Sequence, residues 1–200
     1  KELWRGLRTD DLQVVSTDHC PFCFNEQPYG MKHSKQQGAD DFSKIPNGAP
    51  GVETRLPLIF EGAVLKHGMS INRFVEITAT APAKLFGLFP KKGSIAVGSD
   101  GDIVLFDPKE QWTIRAAEQH SRADYTLFEG NEVVGRVKKV FSRGDLIVDG
   151  DAWLGKPGRG QFVAPVLGAD HGGDDLGAAE TLVAHAGGVA GIDQLGHRPL

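Results

Sequence analysis

The residues best suited to chemistry are Ser-Thr-Asp-His at 16–19. They follow Leu-Gln-Val-Val at 12–15, whose β-branched residues are typical of a strand, and we predict a strand over 12–18 that presents Asp18 at its end. In a parallel α/β barrel the active site lies at the carboxyl ends of the strands. A carboxylate there can bind a metal ion through oxygen and can also move a proton. Asp18 is therefore the candidate catalytic and metal-binding residue, and capping of the following turn is the simpler alternative.

A second candidate is the asparagine loop, residues 45–51, in which two prolines and two glycines surround Asn47. The prolines stiffen the chain, and the glycines let a ligand approach the backbone closely. Backbone groups held in this way could bind the N–H and C=O groups of an amide substrate. A plain turn is the alternative interpretation.

Cys20 and Cys23 have the C-x-x-C spacing of dithiol redox sites. Those sites rely on a helix N-terminus to activate the thiol, whereas the residues after Cys23 indicate a loop. The sequence has only these two cysteines, so a second pair that would complete a structural zinc site is missing. We expect two reduced thiols that bind no metal and pack against or line the site.

The secondary structure that must position these residues changes along the chain from predicted helices to predicted strands. Apolar residues at helical spacing predict a helix over 54–67 that is ended by Gly68, and Ser70 and Pro82 predict the starts of two more, ending near residues 80 and 87. After residue 90, short apolar runs separated by turn residues predict antiparallel strands. These strands cover residues 95–97, 102–106, 125–128, 133–141 and 146–148, with a hairpin turn at 142–145.

The composition narrows the class of protein. The 200 residues carry 22 Lys and Arg against 26 Asp and Glu, and a net charge of -4 gives no reason to expect nucleic acid or a membrane as partner. No signal-peptide pattern opens the chain and cysteines are few, so we expect a cytoplasmic protein. The start at Lys1 within a helical pattern suggests a part of a longer protein. Gly, Ala and Asp dominate after residue 163, and we expect a disordered tail over 164–200.

Several segments together resemble the dihydropyrimidinases and D-hydantoinases of the amidohydrolase superfamily. The similarity lies in Thr-Asp-His-Cys-Pro-Phe at 17–22, Ile-Pro-Asn-Gly at 45–48, and residues 72–75, 82–90, 92–100, 102–104 and 155–162. The resemblance covers residues 1 to about 163. It implies an α/β fold with three parts: the C-terminal part of a metal-dependent (β/α)8 barrel over 1–90, a β-sandwich portion over 91–163, and the tail.

The resemblance also implies a function. Members of this family hydrolyse the cyclic amide bond of hydantoins or 5,6-dihydropyrimidines at a binuclear metal centre, usually of zinc, and commonly form homotetramers. An aspartate after the last barrel strand ligates one metal and passes a proton to the leaving nitrogen, a role that falls on Asp18. The asparagine of the Pro-Asn-Gly loop contacts the ring amide through its backbone, a role that falls on Asn47. The family's other metal ligands lie upstream of Lys1, so we expect this chain alone to be inactive.

Two other functions stay open. Collapsin-response mediator proteins share the fold and act as non-catalytic interaction proteins, although they lack the aspartate and the asparagine that stand here at 18 and 47. Another cyclic amidohydrolase, such as an allantoinase, is the second alternative, although those enzymes do not usually continue the Asp-His pair with Cys-Pro-Phe.

Overall fold

The structure, a computed structural model, describes residues 1–25 and 34–166. Its α-helices are α1 (Glu2–Thr9), α2 (Arg55–Ile59), α3 (Ile71–Val75) and α4 (Ala81–Leu85). Two π-helical stretches, Phe60–Lys66 after α2 and Glu76–Thr80 between α3 and α4, continue them without a break. Short 3-10 turns are found at Lys35–Gly38, Phe42–Lys44 and Ala116–Glu118.

The predicted helices over 54–67 and 70–80 are confirmed. Residues 82–85 are helical as predicted, but they continue the preceding helix and do not start a new one at Pro82. The backbone of Gly68 has φ 66°, the left-handed conformation that commonly follows a helix end. Ser70 caps α3, because its hydroxyl oxygen accepts a hydrogen bond from the backbone N–H of Arg73 at 3.2 Å. No helix in the described part of the chain is both long and apolar enough to cross a membrane.

The second half forms one antiparallel sheet, in the order β1-β2-β3-β4. The strands are β1 (Ile103–Thr113), β2 (Glu132–Ser142), β3 (Asp145–Asp149) and β4 (Ala152–Trp153). The predicted hairpin is confirmed: Arg143 and Gly144, both at positive φ, join the paired residues Ser142 and Asp145. Positive φ at both central residues matches the right-handed twist of the strands, so the turn fixes the register of β2 against β3.

The hydrophobic core joins the helices to the sheet. The rings of Phe60 and Phe74 meet edge-on at 5.7 Å, and Phe106 of β1 lies 4.9 Å from Phe60. Gly135 of β2, at φ 104°, leaves the room for these rings, because a Cβ there would lie 2.6 Å from Phe106 Cζ. The buried members of this cluster are Leu7, Phe60, Ala63, Met69, Phe74 and Ile77.

Three strand predictions are wrong. Residues 95–97 form no strand, and Ile95 and Val97 are exposed, because no described strand lies beside them to complete a ladder. Residues 125–128 bend into a turn that closes when the N–H of Asn131 donates to the carbonyl of Phe128. Residues 12–18 pair with no strand of the described part of the chain; the N–H of Val15 instead donates to Ile77 O at 3.3 Å. A pattern of apolar residues can favour a strand, but it does not show that a second strand lies beside it to pair with.

The larger architecture stays a prediction. The described residues contain one sheet, and neither a closed barrel nor the second layer of a sandwich is among them. The domain bounds 1–90 and 91–163 are likewise untested. The expected tail, 164–200, lies outside the described residues apart from 164–166.

Candidate functional site

The two predicted site segments lie side by side. His19 and Ala49 form an isolated parallel β-bridge, in which the N–H of Cys20 donates to Ala49 O at 3.3 Å. His19 adds two further contacts, because its Nδ1 accepts hydrogen bonds from the N–H of Gly51 at 3.0 Å and of Val52 at 3.3 Å. The asparagine loop is therefore bound along its second half to the residues directly after Asp18.

Asp18 has an unusual backbone. Its φ is 46°, in the left-handed region, which costs an L-residue about 1–2 kcal/mol although aspartate adopts it more readily than most. The bonds of His19 to the asparagine loop hold the chain in this conformation. The side chain is exposed, and within residues 1–25 and 34–166 its carboxylate has no hydrogen-bonding partner. Strained residues cluster at functional sites, and this carboxylate is available to an external group.

His19 itself is a structural residue. Because Nδ1 accepts two N–H groups, the imidazole must be neutral at that nitrogen. Partial burial lowers the pKa of His19, and the nearby Glu53 carboxylate offsets only part of this effect. A neutral imidazole is the form that these bonds require, so the electrostatics agree with the geometry.

The asparagine loop approaches the Asp18 segment most closely at Gly48. This residue has φ 120°, and a Cβ there would lie 2.3 Å from the carbonyl oxygen of Cys20. Only glycine fits such a conformation at such a distance. The preceding residue, Asn47, is exposed to solvent.

Lys35 was not singled out by the sequence, yet it contacts the asparagine loop directly. Its Nζ donates to the carbonyl oxygen of Pro46 and, at 2.7 Å, to that of Gly48. These two carbonyls stand on either side of Asn47. Nothing in the local pattern around Lys35, a lysine in a polar loop, marks this role.

Glu53 was also missed. Its carboxylate accepts from the backbone N–H of His120 at 2.9 Å, from that of Ser121 at 3.3 Å, and contacts His120 Nδ1 at 2.8 Å. The hydrogen bond to Glu53 raises the pKa of His120 although the ring is partly buried. Glu53 thus fixes the chain just after the asparagine loop to a segment almost seventy residues later.

The two cysteines differ in environment. Both are free thiols; Cys20 is exposed, whereas Cys23 is fully buried with its Sγ 3.7 Å from Arg122 O. Burial raises the pKa of Cys23. A redox-active thiol needs a lowered pKa and access to solvent, and Cys23 has neither.

A cleft of about 760 Å³ opens beside the site segments, a size within the usual range of small-molecule sites. Ser16 and Thr17 line one wall together with residues 49–51, and Arg55 lies among the lining residues from α2. Arg55 is held there by a hydrogen bond to Val15 O at 3.0 Å. Neither Asp18 nor Asn47 is among its lining residues, so the cleft is a neighbour of the candidate site.

The described residues do not make a complete metal site. Within residues 1–25 and 34–166, no three His, Cys, Asp or Glu side chains converge in a way that could hold an ion. The exposed carboxylate of Asp18 supplies one oxygen donor of a type that zinc and harder cations accept. Asp18 therefore fits as a single ligand within a larger set.

Known proteins are similar to this chain in sequence and in fold. The D-hydantoinase of Streptomyces coelicolor is 49% identical over 160 residues, which are 80% of this chain and 32% of that protein. The D-hydantoinase of Ralstonia pickettii is 46% identical over 161 residues, 80% of this chain and 34% of that protein. A crystal structure of the dihydropyrimidinase from Brevibacillus agri has 48% identity and a TM-score of 0.70, over 76% of this chain and 32% of that one. The chain thus spans about a third of the length of the relatives it matches.

The family follows from a separate match. A sequence model described as the amidohydrolase family matches residues 2–147, which include the Asp18 segment, the asparagine loop, all the described α-helices and most of the sheet. This chain belongs to the amidohydrolase family.

Proposed function

We propose that this chain is part of a hydrolase that opens the cyclic amide bond of hydantoins or 5,6-dihydropyrimidines. The observation that carries the proposal is the placement of Asp18: exposed, strained at φ 46° and held beside the asparagine loop. The similar proteins named D-hydantoinase and dihydropyrimidinase support the class of substrate.

In this proposal Asp18 moves one proton. It accepts the proton of the water that attacks the ring carbonyl and delivers it to the ring nitrogen as the C–N bond breaks. The water oxygen becomes part of the new carboxyl group, which releases the second proton to solvent as it ionises. The ring nitrogen stays on the opened product as a neutral ureido NH2. The backbone of Asn47 binds the ring amide and orients the carbonyl toward the attack.

The proposal includes two divalent cations, taken as zinc, with Asp18 as one ligand and the others outside the described residues. Such ions would lower the pKa of the attacking water and polarise the carbonyl. A small-molecule substrate, a homotetramer and a cytoplasmic location complete the proposal, and it involves neither nucleic acid nor a membrane.

Asp18→Asn in the complete protein that contains these residues tests the assignment. Asparagine tolerates a positive φ as well as aspartate does, so the variant removes the proton acceptor and keeps the backbone. We expect kcat on hydantoin and on dihydrouracil to fall by about 10²–10⁴-fold or more. Metal content and melting temperature are measured on the same samples.

Asp41→Asn is the matched control. Asp41 is a partly exposed aspartate that caps a turn, since its carboxylate accepts from the N–H of Ser43 at 3.1 Å. We expect this variant to keep its kcat and to lose little stability. A folded Asp18→Asn protein with unchanged kcat would falsify the catalytic assignment. A wild-type protein that hydrolyses neither ring would favour one of the two alternatives, the non-catalytic interaction protein or another cyclic amidohydrolase such as an allantoinase.

A further inference from the structure

The side chain of Lys35 joins the two peptide groups that flank Asn47. Nζ donates to Pro46 O, which precedes Asn47, and to Gly48 O, which follows it. Hydrogen bonds from an ammonium group to carbonyl oxygens are charge-assisted and stronger than neutral ones. Within the described residues no carboxylate forms an ion pair with Lys35, so its charge is directed at the asparagine loop.

The bond to Pro46 has a geometric consequence for Asn47. The carbonyl of Pro46 and the N–H of Asn47 belong to one planar peptide group, and in a trans peptide they point in opposite directions. A carbonyl turned toward Lys35 therefore directs the Asn47 N–H away from it. That N–H becomes a fixed donor on the far side of the loop.

Lys35 is itself held in place from several sides. Its backbone N–H donates to Cys23 O at 2.9 Å, and its Nζ lies 5.6 Å from the centre of the Phe22 ring. The 3-10 turn that Lys35 begins packs directly on the asparagine loop, since a Cβ at Gly38 would lie 1.9 Å from Ile45 Cγ1. The side chain thus bridges two segments that are already in contact.

We propose that Lys35 is a positioning residue, which fixes the main-chain N–H of Asn47 for the ring amide of the substrate. This role rests on the proposed function, because it assigns a purpose to the loop that binds the ring. Lys35 touches neither substrate nor metal in this arrangement and acts only through the backbone around Asn47.

The test compares Lys35→Met, Lys35→Arg and Lys44→Met in the complete protein. Methionine keeps the apolar stem of Lys35 and removes the donors, whereas arginine keeps a cation that can reach the carbonyls. Lys44 is the matched control, an exposed lysine of the same region whose Nζ pairs with Asp41 at 3.3 Å. The measurements are KM and kcat on hydantoin and dihydrouracil, and hydrogen exchange of the peptide that spans residues 45–51.

For Lys35→Met we expect KM to rise about tenfold, the equivalent of about 1.4 kcal/mol of binding, with kcat unchanged and exchange over 45–51 accelerated. Loss of binding that is equal in the ground and transition states appears in KM alone. Lys35→Arg should recover part of the KM, and Lys44→Met should match the wild type in both measurements.

Two results would overturn the proposal. Unchanged KM in Lys35→Met, with or without faster exchange, removes the role in substrate positioning. A fall in kcat and melting temperature at constant KM assigns Lys35 to general stability instead. If the wild type hydrolyses neither ring, the proposed function fails and the positioning role fails with it, while exchange over 45–51 still shows whether Lys35 orders the loop.

Discussion

The sheet and the asparagine loop are held by different kinds of contact. In the sheet each strand pairs with the next one along the chain, through backbone groups that every residue possesses. The asparagine loop is held by the particular side chains of His19 and Lys35, and Glu53 fixes the chain just after it. Substitutions in the sheet should therefore mainly lower stability, because many backbone hydrogen bonds hold the strands together. Substitutions in the asparagine loop should mainly lower activity, because single side chains determine its geometry.

Gly48→Ala should show this difference at its largest. The new Cβ would meet Cys20 O at 2.3 Å at a φ of 120°, so the asparagine loop must move away from the Asp18 segment. A displacement of about 1 Å in a substrate-positioning element can cost about 10²-fold in rate. We expect a loss of that size in kcat/KM of the complete protein.

Gly150→Ala is the matched control in the sheet region. Gly150 also has a positive φ, 59°, but a Cβ added there would meet no other atom within 4 Å. The variant should lose about 1–2 kcal/mol in the free energy of unfolding from backbone strain and keep its kcat/KM. Equal activity losses in the two variants would remove the distinction between the regions.

Glu53→Gln should lower the free energy of unfolding by an intermediate amount that depends on pH. The amide keeps one acceptor but loses the charge that binds two backbone N–H groups and His120, a loss of about 1–3 kcal/mol. Because Glu53 raises the pKa of His120, the charged part of this stabilisation is complete below the ordinary histidine pKa of about 6.5. It disappears as pH rises through the raised pKa of the folded state.

The melting temperatures of wild type and Glu53→Gln should therefore differ more at a pH of about 5.5 than at a pH of about 9, on either side of the ordinary histidine pKa. The bonds to the backbone N–H groups leave some difference at both. A difference in melting temperature that stays constant with pH would show that the protonation of His120 does not contribute to stability.

Asp149→Asn should have the smallest effect. Its carboxylate contacts Lys139 Nζ at 2.7 Å across β2 and β3, but both side chains are about two-fifths exposed. Exposed ion pairs contribute about 0.2–1 kcal/mol and are screened by salt. Urea unfolding at low and high salt should show a small difference that vanishes at high salt. A loss larger than that of Gly150→Ala would mean that the sheet also depends on single side chains.

The sequence predicted the parts of the fold that depend on neighbours along the chain. The helix that ends at Gly68 and the hairpin at 142–145 follow from local spacing and turn residues, and both are confirmed. The same reasoning failed for residues 95–97 and 125–128, because a strand requires a partner that the local pattern does not identify. Local signals thus predict helices and hairpins better than isolated strands.

The residues of the candidate site also fall into those that the sequence identified and those that it missed. Asp18 and Asn47 were found from residue type and resemblance, and the structure brings their segments together, while their roles stay predictions. Lys35 and Glu53 were missed because their function depends on partners that are distant in the sequence: Glu53 contacts a residue 67 positions away. No periodicity or motif records a contact of that kind.

The attachment of residues 23–25 to the second half of the chain has a consequence for the entropy of folding. The Asp124 carboxylate accepts from the N–H of Phe24 at 2.5 Å, closing a loop of 100 residues, whereas the β2–β3 hairpin closes across two. Each doubling of the length of a flexible loop adds about 0.6 kcal/mol to the cost of closure, so closing the longer loop costs more conformational entropy. The hairpin can form from its own few residues, whereas residues 23–25 reach their attachment to Asp124 only when two distant parts of the chain have met.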